Sequence, residues 1–318
     1  MSEPRAEDSR PLISVVIETF NSTAESAIQL RDVLDRLDEQ THGRGNIEII
    51  AVLDQANDEL AGFLRDEYPD VQTVSTADAT YYGMKNRGMR SAQGDIIALL
   101  DSDTLPVKNW VEEIASCISA GADLVAGSVR YPTGAPFGRT FALFNYGHIR
   151  NGEDGEVDTF NVSNAAMRKE LLEEHSFDRR LRRSGGGTLL GRELKSLGYK
   201  LVYNPNLRVT HNHPGLRTHI ATRLRTGYEV INICQLDDER VLPETKYLRL
   251  GVLAPFVLSA RRALSDFRSI IWNGRDLDIR IHEMPFFLAI AVVVRAVEAV
   301  TGVITVIRPG YLAKRYGW

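Results

Sequence analysis

Cysteine is close to absent: Cys117 and Cys234 are the only two in 318 residues, and they form no C-x-x-C pair. That excludes a disulfide framework, a zinc ribbon and a thiol redox motif, and two reduced thiols suit the cytosol. Basic charge is also in deficit, with a formal net charge of −4 and a pI near 6.0. Nucleic acid is therefore no main partner, because neutralising phosphates needs a basic surface. Residues 1–11 lack any apolar run and carry both charge signs, which excludes a secretory signal. The reading is a disordered leader on a cytoplasmic protein. Glycine is missing from "VVIETFNSTAES" (15–26). A nicotinamide-binding fold needs a glycine-rich turn after its first strand, and a nucleotidyltransferase needs a glycine-rich basic loop there. Both are set aside.

What is present is an alternation of strand and helix patterns from Leu12 onward. "LISVVI" (12–17), "IEIIAVL" (47–53), "VQTVS" (71–75), "DIIALL" (95–100) and "DLVAGS" (123–128) read as strands, the longer ones apolar throughout, as in a sheet covered on both faces. Helical spacing marks 24–40, about 58–67, about 82–92 and 107–119 between them. Repeated βα units imply an α/β, doubly wound, mostly parallel sheet, in which ligands bind beyond the carboxyl ends of the strands. Those ends carry Glu18-Thr19-Phe20-Asn21, Asp54 and Asp101-Ser102-Asp103, all polar or acidic except one phenylalanine. Residues 130–215 are less regular, with glycine- and proline-rich loops, the triplet Gly185-Gly186-Gly187, a helix to about 197 and strands at 200–204 and 207–211.

Asp101-Ser102-Asp103 leaves a buried strand, and two carboxylates there make a hard oxygen site for Mg²⁺ or Mn²⁺. A cation held there removes the repulsion between carboxylates and a diphosphate. The alternative is a cap on the helix that follows. His211 and His213 end the last strand on one face and offer a further ligand or two ordinary surface imidazoles. Asp54 is placed to accept from a base or ribose, or to build a turn.

The order of these segments resembles the family 2 glycosyltransferases. "PLISVVIETFN" is similar to their opening strand and loop, and "IEIIAVLDQANDE" to their second strand with its base-contacting acid. "YYGMKNRGMRSAQGDIIALLDSDTLPVKNWVEEI" is similar to their asparagine-bearing helix, fourth strand, metal motif and Pro-x-x-Trp segment. "SNAAMRKELL", "FDRRL" and "LKSLGYKLVYNPNLRVTHNHP" resemble later blocks, so the likeness covers about 12–214. It implies a glycosyltransferase A-type fold, a UDP-, GDP- or dTDP-sugar donor, a divalent metal (Mn or Mg) and inversion at the anomeric carbon. It also implies nucleotide contacts from Glu18, Thr19, Asn21, Asp54, Lys85, Asn86, Asp101 and Ser102, with the metal on Asp103, Asp101 and His211. Three departures stand out. Glu18 replaces the usual proline and adds negative charge, Leu53 replaces the first acid of a pair, and Gly186 and Gly187 occupy the place of the family's catalytic acid. The base is left unassigned, with Glu193, Asp158 and Asp178 as nearby carboxylates. A sugar-nucleotide-binding scaffold without turnover is the competing reading.

Past Pro214 the count is 15 Lys/Arg against 10 Asp/Glu, a net of +5, and the chain is helical over 216–236, about 246–264 and 284–307. "MPFFLAIAVVVRAVEAVTGVITVI" (284–307) approaches the ~20 residues that span a bilayer, but it carries Arg295 and Glu298, costly at mid-membrane. The expectation is three segments: the leader 1–11, a nucleotide-sugar-binding domain 12–215, and a helical region 216–318. That last region lies on the inner membrane face, packs on the catalytic domain or a second copy, or spans the bilayer. A glycan or lipid-linked acceptor follows from the resemblance together with membrane contact.

Overall fold

The computed structural model describes residues 11–20, 24–132, 138–146, 149, 155–211, 216–238, 241–274 and 279–317. The leader 1–10, Asn21, His213 and most of the two glycine-rich loops expected between 131 and 155 lie outside the described residues.

Eight strands form one mixed sheet: β1 (Ile13–Glu18), β2 (Ile47–Asp54), β3 (Gln72–Thr76), β4 (Ile96–Asp101), β5 (Thr104–Pro106), β6 (Leu124–Arg130), β7 (Asn164–Arg168) and β8 (Leu201–His211). Their order is β3-β2-β1-β4-β7-β6-β8-β5. The first four pair in parallel, β6 and β8 likewise, while β7 runs antiparallel to both neighbours and β5 antiparallel to β8. Alternation along β1 explains the two layers. Ile13, Val15 and Ile17 pack with α1 (Ala24–Asp38) and α4 (Trp110–Ser119) on one face. Val16 packs with α3 (Tyr81–Ser91) and α7 (Gly186–Ser196) on the other. The remaining helices of this unit are α2 (Asp58–Glu67), α5 (Gly138–Tyr146) and α6 (Lys169–Glu174).

The strands expected at 200–204 and 207–211 are one strand, β8, whose register against β6 shifts between Gly127 and Ser128. The irregular middle also supplies β7, which its small residues Asn164, Ala165 and Ala166 had concealed. Asn164 is fully buried and joins distant parts: it accepts the Trp110 indole N–H at 2.8 Å and donates to Ser128 and Leu207 carbonyls at 2.9 Å each.

The C-terminal region is helical, as expected, through α8 (Leu216–Leu236), α9 (Ala254–Asn273), α10 (Met284–Ile307) and α11 (Tyr311–Tyr316). The helix expected at about 246–264 is displaced: 245–253 is 3-10 turn broken at Gly251 (φ 54°), and α9 starts at Ala254 with Pro255 in its first turn. Among the described residues one helix, Ile281–Ile307, is long and apolar enough to cross a membrane. One side of it is closed by protein, however. Gly227 of α8 lies so near that a Cβ would meet the Glu298 carbonyl oxygen at 2.1 Å, and Arg295 and Glu298 are buried against α8 and α9.

Candidate metal and nucleotide site

The register of β1 against β4 sets Glu18 level with Asp101, and β2 ends alongside in Asp54, so three acids gather at one sheet edge. The turn after β4 is fixed by Thr104, whose hydroxyl donates to the Asp101 carbonyl at 2.9 Å and accepts the Asp101 N–H at 3.1 Å. β5 then pairs with β8 so that Thr104 faces His211. This pairing brings the imidazole to an acid 108 residues away in sequence: Nε2 of His211 is 3.6 Å from Oδ1 of Asp103. One ligating atom each from Asp101, Asp103 and His211 lies within 4.8 Å of the others.

The two aspartates are held differently. Asp101 accepts the fully buried Lys85 ammonium at 2.7 Å and the Tyr81 hydroxyl at 3.0 Å. Burial acts most strongly on its carboxyl and upward, but Lys85, His211 and Tyr81 outweigh it and hold the group below the usual range. Asp103 has no such ammonium. Burial, with repulsion by Asp101, raises its carboxyl against the pull of His211 and Arg183. Burial first and Asp101 second push Glu18 up to about 8. The extra negative charge expected at Glu18 is therefore largely removed near neutral pH, and its carboxyl accepts the Phe20 N–H at 2.7 Å. Two carboxylates that repel each other, with an imidazole converging on them, fit a hard or borderline divalent cation.

The other expected residues divide. Thr19 donates to the Val52 carbonyl at 2.8 Å, tying the end of β1 to β2, and Ser102 is buried in the acid-bearing turn. Asp54 accepts the Ala56 N–H at 3.0 Å, the turn geometry the sequence allowed, at the same strand edge. Lys85 turns inward to Asp101 and the Leu100 carbonyl, so its charge neutralises the aspartate where a direct nucleotide contact was expected. Asn86 is not brought to the site. Its amide donates to the Phe177 carbonyl at 2.8 Å and accepts the Phe177 N–H at 3.0 Å, fixing the loop ahead of α7. Gly186 and Gly187 are glycines for a steric reason. A Cβ would meet the Tyr82 ring at 2.4 Å at the first and the Phe160 carbonyl oxygen at 2.1 Å at the second. No carboxylate fits at either place. Glu193 instead pairs with His175 at 2.8 Å, Asp158 with Arg192 at 3.1 Å and Asp178 with Arg180 at 2.7 Å.

Sequence reading missed Tyr81, Tyr82 and Arg183. Tyr82 accepts the Gly186 N–H at 2.9 Å and donates to the Arg183 carbonyl at 3.3 Å, while the Arg183 guanidinium lies 5.4 Å from the Phe20 ring centroid. A tyrosine pair opening α3 was visible as a signal, but its partners are long-range.

A mixed sheet covered on both faces, with an acidic cluster and an imidazole at its strand ends, is the arrangement expected of a glycosyltransferase A-type fold. The sequence profile of Glycosyl transferase family 2 matches residues 14–176, just over half of the chain, and the chain belongs to that family. Two curated relatives agree. Glycosyltransferase AglE of Haloferax volcanii is 25% identical over 238 residues, covering 71% of this chain and 75% of that protein. Dolichol-phosphate mannosyltransferase of Pyrococcus furiosus is 26% identical over 203 residues, and the match spans 60% of this chain and about half (51%) of that protein. Among solved structures, the mannosyltransferase PcManGT of Pyrobaculum calidifontis, in complex with GDP-Man and Mn²⁺, has a TM-score of 0.63 at 17% identity, covering 95% of this chain and 88% of its own. GalNAc-T7 with UDP, GalNAc and Mn²⁺ has a TM-score of 0.51 at 17% identity over 65% and 45%. At these identities the structural likeness is one of fold.

Proposed function

We propose that the chain performs inverting, metal-assisted transfer of a sugar from a UDP-, GDP- or dTDP-linked donor to a hydroxyl on a glycan or lipid-linked acceptor. The observation that carries this is the convergence of Asp101, Asp103 and His211 at the carboxyl end of β4. These three residues would hold Mn²⁺ or Mg²⁺, which supplies positive charge against the departing diphosphate. Lys85 and Tyr81 keep Asp101 ionised and oriented. The ends of β1 and β2, with Glu18, Thr19 and Asp54, would line the edge where the nucleoside binds. Ser102 belongs to the turn beside it.

Calorimetry with UDP, GDP and dTDP, with and without Mn²⁺, is the direct test. One nucleotide is expected to bind only with the metal, and Asp103→Ala to lose that binding. No metal-dependent affinity for any of the three would sink the reading. The glycine collisions at Gly186 and Gly187 favour a second reading, a nucleotide-sugar-binding scaffold without turnover. Tight nucleotide binding with no release of nucleoside diphosphate from any donor would establish it.

We also infer that the helical region rests on the cytoplasmic membrane surface. Phe286, Val293, Val300 and Ile307 recur at seven-residue intervals on α10, each more than half exposed. Leu264, Ile271 and Trp272 on α9 are likewise exposed, and so are the cations Arg261 and Arg268 on α9, Arg308 just after α10, and Lys314 and Arg315 on α11.

A further inference from the structure

An inverting transfer needs a group to take the proton of the attacking hydroxyl. α7 begins where such a carboxylate is expected, but the packing of Gly186 and Gly187 leaves no room for one. Another carboxylate stands next to that start, supplied by a different helix. Glu229 of α8 is 6% exposed and accepts a hydrogen bond from the hydroxyl of Ser184, which immediately precedes Gly185 and α7. Its other oxygen, Oε1, lies 3.4 Å from Nε of Arg225 and makes no hydrogen bond among the described residues.

The Ser184 loop is tied to the metal-ligand cluster. Tyr82 holds it on both sides, through the Arg183 carbonyl and the Gly186 N–H, and the adjacent Tyr81 bonds Asp101. The charge of Arg183 acts on both Asp103 and Glu229, and its guanidinium lies 5.4 Å from the ring centroid of Phe20, just past the end of β1. Ser184 itself is half-buried and partly open to solvent, unlike Glu229. Glu193 is hydrogen-bonded to His175, and Asp158 and Asp178 are held in ion pairs with Arg192 and Arg180.

We propose that Ser184 and Glu229 form a proton relay that replaces the acid missing from α7, with Ser184 touching the acceptor and Glu229 as the final proton acceptor. The proposal rests on the transferase reading above. In the step, a lone pair of the acceptor oxygen forms the bond to the anomeric carbon. The bond from that carbon to the leaving phosphate oxygen breaks, and its electron pair stays with the nucleoside diphosphate. The acceptor proton passes to Ser184 Oγ as the serine's own proton passes to Glu229, which becomes a neutral acid and later loses that proton to water. Burial raises the Glu229 carboxyl, against Arg225 and Ser184, and a raised carboxyl is the better proton acceptor.

The test uses the full chain with Mn²⁺ and UDP-, GDP- and dTDP-sugars, water serving as acceptor and nucleoside diphosphate release as readout. Glu229→Gln is expected to lower kcat by about 10²–10⁴-fold, with nucleoside diphosphate affinity within twofold of wild type. The wild-type rate should rise with pH through a limb above the ordinary glutamate range, and that limb should vanish in the variant. Ser184→Ala, which leaves the buried carboxylate and its arginine in place, should lose at least tenfold in kcat and keeps the test alive where Glu229→Gln fails to fold. Both variants within threefold of wild type, or an unchanged pH limb, would overturn the relay and leave the transferase standing. Absence of metal-dependent nucleotide binding in the wild type would overturn the transferase reading and the relay together.

Discussion

Asp101 and Asp103 are two residues apart, yet their substitution should have opposite consequences. Lys85 is 0% exposed and its charge is balanced by Asp101. Asp101→Asn strands a buried ammonium, and breaking one half of a buried pair costs about 3–5 kcal/mol. Urea unfolding should show that loss before any activity is measured. Among the described residues Asp103 has no ammonium partner, and its side chain is 27% exposed. Asp103→Ala should leave the urea midpoint nearly unchanged and abolish Mn²⁺-dependent nucleotide binding, read by calorimetry. A stability loss in Asp103→Ala equal to that of Asp101→Asn would contradict the division of roles. Gly187 makes a separate prediction at this scale. Its missing Cβ would meet a backbone oxygen, which cannot rotate away, so Gly187→Ala should cost about 2–3 kcal/mol as overpacking. A midpoint within error of wild type would show that the chain there gives way easily.

At the scale of elements, helices and strands with strong local periodicity could be read directly, and elements made by distant pairing could not. α2 at Asp58–Glu67 and α8 at Leu216–Leu236 fall where their apolar spacing puts them, because the faces they bury repeat within a turn or two. β5 has only three residues, and no local pattern announces that Thr104 pairs with His211. The acids of the site were therefore legible as a strand end, whereas Tyr81, Arg183 and Glu229 reach it through contacts spanning 20 residues or more of chain. The same limit applies to Arg295 and Glu298. Sequence shows an i,i+3 pair, but the structure adds Asp266 at 2.7 Å from Arg295 and Arg223 at 3.1 Å from Glu298, joining α8, α9 and α10. Arg295→Met leaves Asp266 without its partner and should destabilise by about 3–5 kcal/mol, measured by urea unfolding. A weaker ion pair joins α5 to the turn before α10, where Arg139 grips Glu283 at 2.7 and 2.9 Å. The Arg139 hydrogen bonds, then the Arg280 N–H, hold the Glu283 carboxyl down at about 2 against an ordinary 4.5. A depressed carboxyl stabilises fully above its unfolded value and loses that contribution as pH falls toward the folded one. Glu283→Gln should therefore flatten the fall in melting temperature between about pH 4.5 and pH 2.

At the scale of the whole molecule, charge and apolar surface divide along the chain. Residues from 214 onward carry +5 while the rest carries −9, which makes the total of −4. The exposed apolar stripe on α10 lies in the positive part, and the side of that helix opposite the stripe is closed by buried ions. A spanning helix would have to expose Arg295 and Glu298 to hydrocarbon or carry α8 and α9 with it, so the stripe is better matched to the interfacial layer of a bilayer. Two terms then act together, apolar burial and attraction of exposed Arg and Lys to anionic lipid, and only the second is screened by salt. Flotation with vesicles containing anionic lipid should carry the wild type upward, and added salt should weaken that association without abolishing it. Replacing Phe286, Val293 and Val300 together by serine should release the protein at every salt concentration and leave nucleotide binding intact, because these three side chains are exposed on α10 and none belongs to the cluster of Asp101, Asp103 and His211. Were the wild type to stay with the soluble fraction while running as a dimer that the triple variant dissolves, the stripe would belong to a second copy of the chain, and the membrane assignment would fall.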